Sequence, residues 1–226
     1  MISLFLRSYE PDFVWLEYSI KSMRKNLLNI SERVLAVPQH TTVPTSISNF
    51  FDHIVYIQET HEGYVQQQID KIRAYKYCSN DYILFSDSDC IYYDKFDPYN
   101  KIEHGKIILP KTKYELVESA IIWEDITYTA TGIEPEYEYM RCFPILHHRE
   151  VLQYLDSDEH FNAYLSVVTN RELSEFNAIG IIAETYFKHR YIFLDTETSN
   201  TIVQSAKQYW SWGGISEDIQ KELDTL

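Results

Sequence analysis

The chain opens on a short apolar run, Ile2 to Leu6, bounded by polar residues, which is the pattern of a buried strand. From about Asp12 the period changes. Phe13, Leu16, Ile20, Met23 and Leu27 recur at helical spacing while Glu17, Lys21, Arg24 and Lys25 fall elsewhere on the cylinder, so a helix follows with Asp12 as its candidate N-cap. Arg33 to Val37, ending at Pro38, and His53 to Ile57 are further apolar runs that read as interior parallel strands. Tyr64 to Tyr77 returns to helical spacing through Val65, Ile69 and Ile72. Tyr82 to Phe85 then forms a fourth strand running into Ser86-Asp87-Ser88-Asp89.

The predicted order is βαββαβ, which implies an α/β fold with a mainly parallel sheet covered by helices on both faces. In such sheets ligands bind beyond the carboxyl ends of the strands, where the acidic cluster after Phe85 lies. Further on the pattern loosens. Lys106 to Pro110 and Tyr191 to Leu194 read as strands, as does Arg141 to Leu146, and His148 to Leu155 and Ser174 to Phe187 as helices. Tyr114 to Tyr139, rich in Glu and Tyr, reads as irregular, with Glu134, Glu136 and Glu138 on a solvated loop. Residues 1–226 are expected to form one domain, with 195–226 as a C-terminal arm or lid.

Asp87 and Asp89 carry the candidate chemistry. On an extended segment residues i and i+2 point the same way, about 6–7 Å apart at Cα, so both carboxylates could serve one hard cation. Such an ion bridges phosphate oxygens and neutralises a departing diphosphate. The alternative is an Asp-rich turn capping its own backbone. With only 6 glycines the chain has neither GxGxxG nor GxxxxGK[ST], so no backbone phosphate cradle competes with the metal reading.

Composition narrows the partners. A 45% hydrophobic and 24% charged chain is that of an ordinary globular protein. A net charge of -14 gives no footprint for a nucleic-acid backbone, which disfavours DNA or RNA without excluding a local basic patch. Three cysteines, Cys78, Cys90 and Cys142, form no zinc or disulfide pattern and read as buried or free thiols. MISLFLRSYE lacks a basic n-region, and no later run is long enough to span a bilayer. The expected location is cytoplasmic, peripheral to the inner membrane face where an acceptor lies there, and the host cytoplasm if the protein is phage-encoded.

Arg7-Ser8-Tyr9 after the first strand, Gln66-Gln67-Gln68 with Lys71, YILFSDSDCIYY and SEFNAIG together resemble a bacterial and phage group of GT-A-like glycosyltransferases, over roughly residues 1–194. The resemblance implies a GT-A fold binding a nucleotide-sugar (UDP- or GDP-sugar) with Mn²⁺ or Mg²⁺. Asp89 would ligate the metal directly and Asp87 would lie near ribose or metal. Arg7, Ser8 and Tyr9 would fall near base and ribose, and Gln68, Lys71 and Ser88 on the nucleotide or diphosphate side. Many such enzymes add a late histidine ligand. None follows His189 here, so the third protein ligand is unassigned.

Glu175 stands where a helix begins, a place suited to a general base for an acceptor hydroxyl. Capping by Ser174, with Glu175 complementing the helix dipole, accounts for the same position. Trp210 and Trp212 before Gly213-Gly214 suit stacking on a sugar or a closing lid, or packing of a terminal arm. His147 is a candidate acceptor contact, against a structural role near a strand end. The leading expectation is sugar transfer from a nucleotide-sugar to an acceptor hydroxyl on a glycan, a lipid-linked molecule or a small molecule. Rivals are transfer to hydroxymethylated DNA bases, sugar nucleotidyl transfer, and a non-catalytic nucleotide-sugar binding module.

Overall fold

The structure is a computed structural model and describes residues 1–169, 172–199 and 206–226. Its first half follows the predicted order. Strand β1 (Ile2–Arg7) leads through a 3-10 turn into helix α1 (Phe13–Asn26). Then come β2 (Glu32–Pro38), the short α2 (Thr45–Ser48), β3 (His53–Ile57), α3 (Gly63–Ile72) and β4 (Tyr82–Phe85). Every residue of β1 is buried, because β1 lies between β2 and β4 in a five-stranded sheet of order β3-β2-β1-β4 followed by a later strand, Ile145–His148 (β9). Strand β9 joins antiparallel to β4, and the other four strands run parallel.

Strand β3 corrects one expectation. It is the sheet edge, with His53 and Tyr56 exposed, so apolar content alone did not distinguish edge from interior. Asp12 makes no side-chain cap to α1, because Glu10–Asp12 already winds as a 3-10 turn and leaves its carboxylate free to turn elsewhere.

The second half holds β5 (Cys90–Tyr92), β6 (Ile102–Glu103), β7 (Lys106–Lys113), α4 (Ile122–Thr131), β8 (Tyr137–Glu138), α5 (Arg149–Ser157), α6 (Glu159–Leu165), α7 (Glu175–Tyr186), β10 (Tyr191–Asp195), β11 (Ala206–Gln208) and α8 (Glu217–Leu223). Strands β10, β7 and β6 form a second sheet in that order, with β8 added to β7. The expectation of an irregular 114–139 is overturned by α4. Its IWEDITYTAT is rich in β-branched residues of low helix propensity, yet Gly132 in the left-handed region (φ 69°) ends it with a C-terminal cap. Residues 141–144 are a run of bends rather than strand, and β9 starts only at Ile145.

Helix α7 is buried along its first nine residues, as its SEFNAIG-type sequence of small and apolar residues requires. A Cβ on Gly180 would stand 2.2 Å from the Tyr139 ring, so only glycine lets α7 approach β8 this closely. One large hydrophobic cluster runs through the central sheet, α1, α3, α5 and α7. A smaller one joins Trp15, Ile91, Tyr209 and Leu223, and seats the C-terminal residues on α1 and β5. No helix among the described residues is long and apolar enough to cross a membrane.

Candidate active site

The β4 strand delivers Asp87 and Asp89 to the carboxyl edge of the sheet. They sit in a tight turn rather than the extended segment expected, since the Cys90 N–H closes back on the Asp87 carbonyl at 3.1 Å. The turn still brings the two charges close. Burial first, and then the Asp87 charge, push the Asp89 carboxyl up to about 7.

Lys71 of α3 reaches over from the neighbouring layer. Its buried Nζ lies 2.7 Å from Asp87 Oδ1 and 2.9 Å from Glu175 Oε1, and 5.0 Å from the centre of the Phe176 ring. Burial pulls this ammonium down, but the two carboxylates outweigh it and hold the pKa above the usual lysine value. Glu175, at the first turn of α7, is therefore tied to the Asp87 side of the sheet. Its backbone N–H donates to Gln68 Oε1 at 3.1 Å. Ser174 makes no side-chain cap; its hydroxyl faces Met140 Sδ at 3.2 Å, so capping does not explain the Ser174-Glu175 pair.

Ser88 donates to Ser8 Oγ at 2.8 Å, which brings the residues after β1 against the Asp87–Asp89 turn. Tyr9 is half exposed there. Arg7 is committed elsewhere: Nε pairs with Asp70 and Nη2 with Glu59, each at 2.7 Å, and Nη1 donates to the Ser8 carbonyl. With all three of its nitrogens engaged, the guanidinium positions the end of β1, and one N–H on each of Nη1 and Nη2 remains beyond these contacts.

The C-terminal residues complete the site. Strand β11 pairs antiparallel with β5, Gln208 opposite Cys90. Gln208 Nε2 donates to Asp87 Oδ2 at 3.1 Å, the Ser211 N–H to Asp89 Oδ2 at 3.0 Å, and the Tyr209 N–H to the Asp89 carbonyl at 2.9 Å. Asp12 also arrives here. Burial raises its pKa, the Ser211 side chain offsets part of that, and the Asp87 charge adds to it. Trp210 and Trp212, on either side of Ser211, remain 61% and 82% exposed, so they are presented to solvent rather than packed down. Of the expected arm, residues 200–205 lie outside the described residues. Asp12, Gln208 and Ser211 went unassigned in the sequence: β11 is too short to show a period, and Asp12 reads locally as a helix start.

His147 corrects the sequence expectation. It is fully buried under Phe176, with near-parallel rings 6.2 Å apart, and its Nδ1 is 3.3 Å from the Tyr191 hydroxyl. Burial, and then the Lys101 charge, push it down to about 3, so it is a neutral core residue out of an acceptor's reach.

The balance of charge decides what the site can hold. Asp87 and Glu175 share the Lys71 ammonium, the charges of Asp12 and Asp89 act on the same turn, and Asp89 Oδ1 is buried without a hydrogen-bond partner. A diphosphate would be repelled by this cluster unless a cation came with it, and paired carboxylates suit a hard divalent ion whose other ligands are phosphate oxygens and water. The donor set fits in that sense. Among the described residues no group of three His, Cys, Asp or Glu side chains is gathered for a metal. A groove of about 690 Å³ beside Tyr114, Ile121 and Pro135 carries none of the predicted site residues.

No protein-family model matches the sequence, and no curated protein does. Solved structures do. The galactosyltransferase LgtC in complex with donor and acceptor sugar analogues superposes with a TM-score of 0.57 at 12% identity, over 99% of this chain and 96% of that one. An active-site mutant of LgtC gives 0.56 at 12% identity, over 99% and 95%. The fold is the GT-A fold. A putative glucose-1-phosphate thymidylyltransferase from Bacillus anthracis, in complex with a sucrose, is more distant at 0.50 and 9% identity, over 100% and 94%. GT-A architecture, a mainly parallel sheet flanked by helices, thus extends over nearly the whole chain at identities that speak for fold alone.

Proposed function

We propose that this protein is a metal-dependent glycosyltransferase that moves a sugar from a nucleotide-sugar to an acceptor hydroxyl. The observation that carries the reading is the excess of carboxylate at the end of β4 in a GT-A fold, with one Asp89 oxygen buried and unpartnered. Asp87 and Asp89 would hold Mn²⁺ or Mg²⁺, which when bound supplies positive charge to the departing diphosphate. Lys71 keeps Asp87 and Glu175 in register with each other. Ser8, Tyr9, Gln68 and Ser88 are assigned to the nucleotide side, of which Tyr9 is exposed and the other three are buried, and Arg7 fixes the backbone that carries Ser8.

Glu175 is the group proposed to take the acceptor proton, its carboxylate being oriented by Lys71 at 2.9 Å and its backbone by Gln68. The described C-terminal residues 206–226 act as an arm over the carboxylates, and the exposed Trp210 and Trp212 offer ring faces to a sugar. Because Asp89 is buried and Asp87 is ion-paired, ligand entry requires the arm to move. The acceptor is read as carbohydrate-like, with the protein in the cytoplasm.

A panel of UDP- and GDP-sugars, read by release of free nucleotide with Mn²⁺, tests the reading. Glu175→Gln should lower transfer by about 10²–10⁴-fold while donor binding persists. Full transfer in that variant would remove Glu175 from the reaction. The likeness to a thymidylyltransferase favours nucleotidyl transfer as the second reading. Pyrophosphate release from a nucleoside triphosphate and a sugar phosphate, with no donor turnover, would select it.

A further inference from the structure

Three of the four carboxylate oxygens of Asp87 and Asp89 already accept from protein donors: Lys71 on Asp87 Oδ1, Gln208 on Asp87 Oδ2 and the Ser211 N–H on Asp89 Oδ2. The fourth, Asp89 Oδ1, is buried and has none. An ammonium and a backbone N–H can only donate. A carboxamide carries a donor at one end and an acceptor at the other, and a half-turn about its last bond exchanges them. Gln208 is thus the one donor of the three able to reverse its role toward the acid pair.

Its backbone is fixed for that purpose. Gln208 is paired opposite Cys90 in the β11–β5 ladder, and the next residue, Tyr209, bonds to the Asp89 carbonyl at 2.9 Å. The carboxamide is held beside the turn, whatever its own rotation. Hard cations accept glutamine carbonyl oxygens alongside carboxylates, and although Asp12 and Glu175 stand nearby, among the described residues no three acidic, histidine or cysteine side chains are gathered closely enough to hold a metal by themselves.

We infer that Gln208 is the third protein group of the cation site. Without the ion its Nε2 donates to Asp87. With the ion the carboxamide turns, which in one motion frees Asp87 Oδ2 and presents Oε1 to the metal. The inference rests on the proposed cation role of Asp87 and Asp89. It makes β11 part of the site itself and couples docking of the C-terminal residues to metal loading.

Titration with MnCl₂ alone, followed by the paramagnetic resonance signal of free Mn²⁺, tests it on the full chain. Gln208→Ala should weaken binding by about 10-fold or more, as loss of a metal-supporting group does. Gln208→Glu should bind as the wild type or tighter. Lys207→Ala removes a contact of the same strand, the 2.8 Å pair with Glu222 that points away from the acid turn, and should leave affinity within about twofold. Unchanged or tighter binding in Gln208→Ala overturns the inference, as does an equal loss in Lys207→Ala, which would make strand docking the cause. A wild type that binds no Mn²⁺ overturns the cation reading as well, a result distinct from either of these.

Discussion

Two charge clusters in this molecule answer their carboxylates in opposite ways. Asp156, at the end of α5, is met by Arg73 at 2.8 Å, Lys76 at 2.6 Å and the Tyr75 hydroxyl at 2.8 Å. Two cations and a hydroxyl answer one carboxylate; burial raises its pKa, but these hydrogen bonds outweigh that and hold it below the usual value. At the end of β4 the proportion is reversed: several carboxylates share Lys71, Asp89 is pushed up to about 7, and one oxygen is unpartnered. A completed cluster contributes to stability and asks for nothing more. An incomplete one is held against its own repulsion by the fold, an imbalance that the charge of a bound cation would relieve.

That contrast breaks or holds on three substitutions. The largest effect belongs to Lys71→Ala, which strands Asp87 and Glu175 in a buried site and should cost about 3–5 kcal/mol of unfolding free energy in urea at pH 7. A loss below about 1 kcal/mol would show that the site is wetter than its burial indicates. Asp89→Asn should do the reverse. Because the folded pKa is raised above the unfolded value near 3.9, ionising Asp89 opposes folding, and this penalty is fully present above about pH 7 and vanishes as pH falls toward 4. The variant should gain about 2–4 kcal/mol at pH 8 and nothing at pH 4. A variant less stable at pH 8 would contradict the assigned sign.

The smallest effect is expected at Asp156→Asn, about 1–3 kcal/mol lost at pH 7. Here the folded pKa is depressed, so the contribution stands above the unfolded value near 3.9 and disappears as pH falls through the folded one. Urea midpoints at pH 7 and pH 3 check it. Nucleotide binding should not respond to this substitution, and a response would erase the distinction between the two clusters.

Much of this was legible in the residues. β3 and β4 begin and end where the apolar runs do, and α7 departs by one residue at each end, because long apolar runs and helical periods leave few alternatives. The C-terminal half was harder. α4 is disguised by β-branched residues, and α6 and α8 follow the side-chain caps Asp158 and Ser216 as short segments with weak periodicity. The acidic motif pointed to the right edge of the sheet, but a period-2 argument placed its carboxylates on an extended segment where the chain turns. What no local pattern carries is long-range: Gln208 meets Asp87 across 121 positions, and Lys71 meets Glu175 across 104. His147 shows the converse, a polar residue beside candidate chemistry that folding carries into the core.

A metal–nucleotide pair would fill the deficit of positive charge beside Asp89. Calorimetric titration of UDP and of GDP into the protein, with and without Mn²⁺, asks this directly. The account predicts binding of at least one nucleotide that needs the metal and is lost in Asp89→Ala. Binding of equal strength without Mn²⁺, or undiminished binding in that variant, would contradict it.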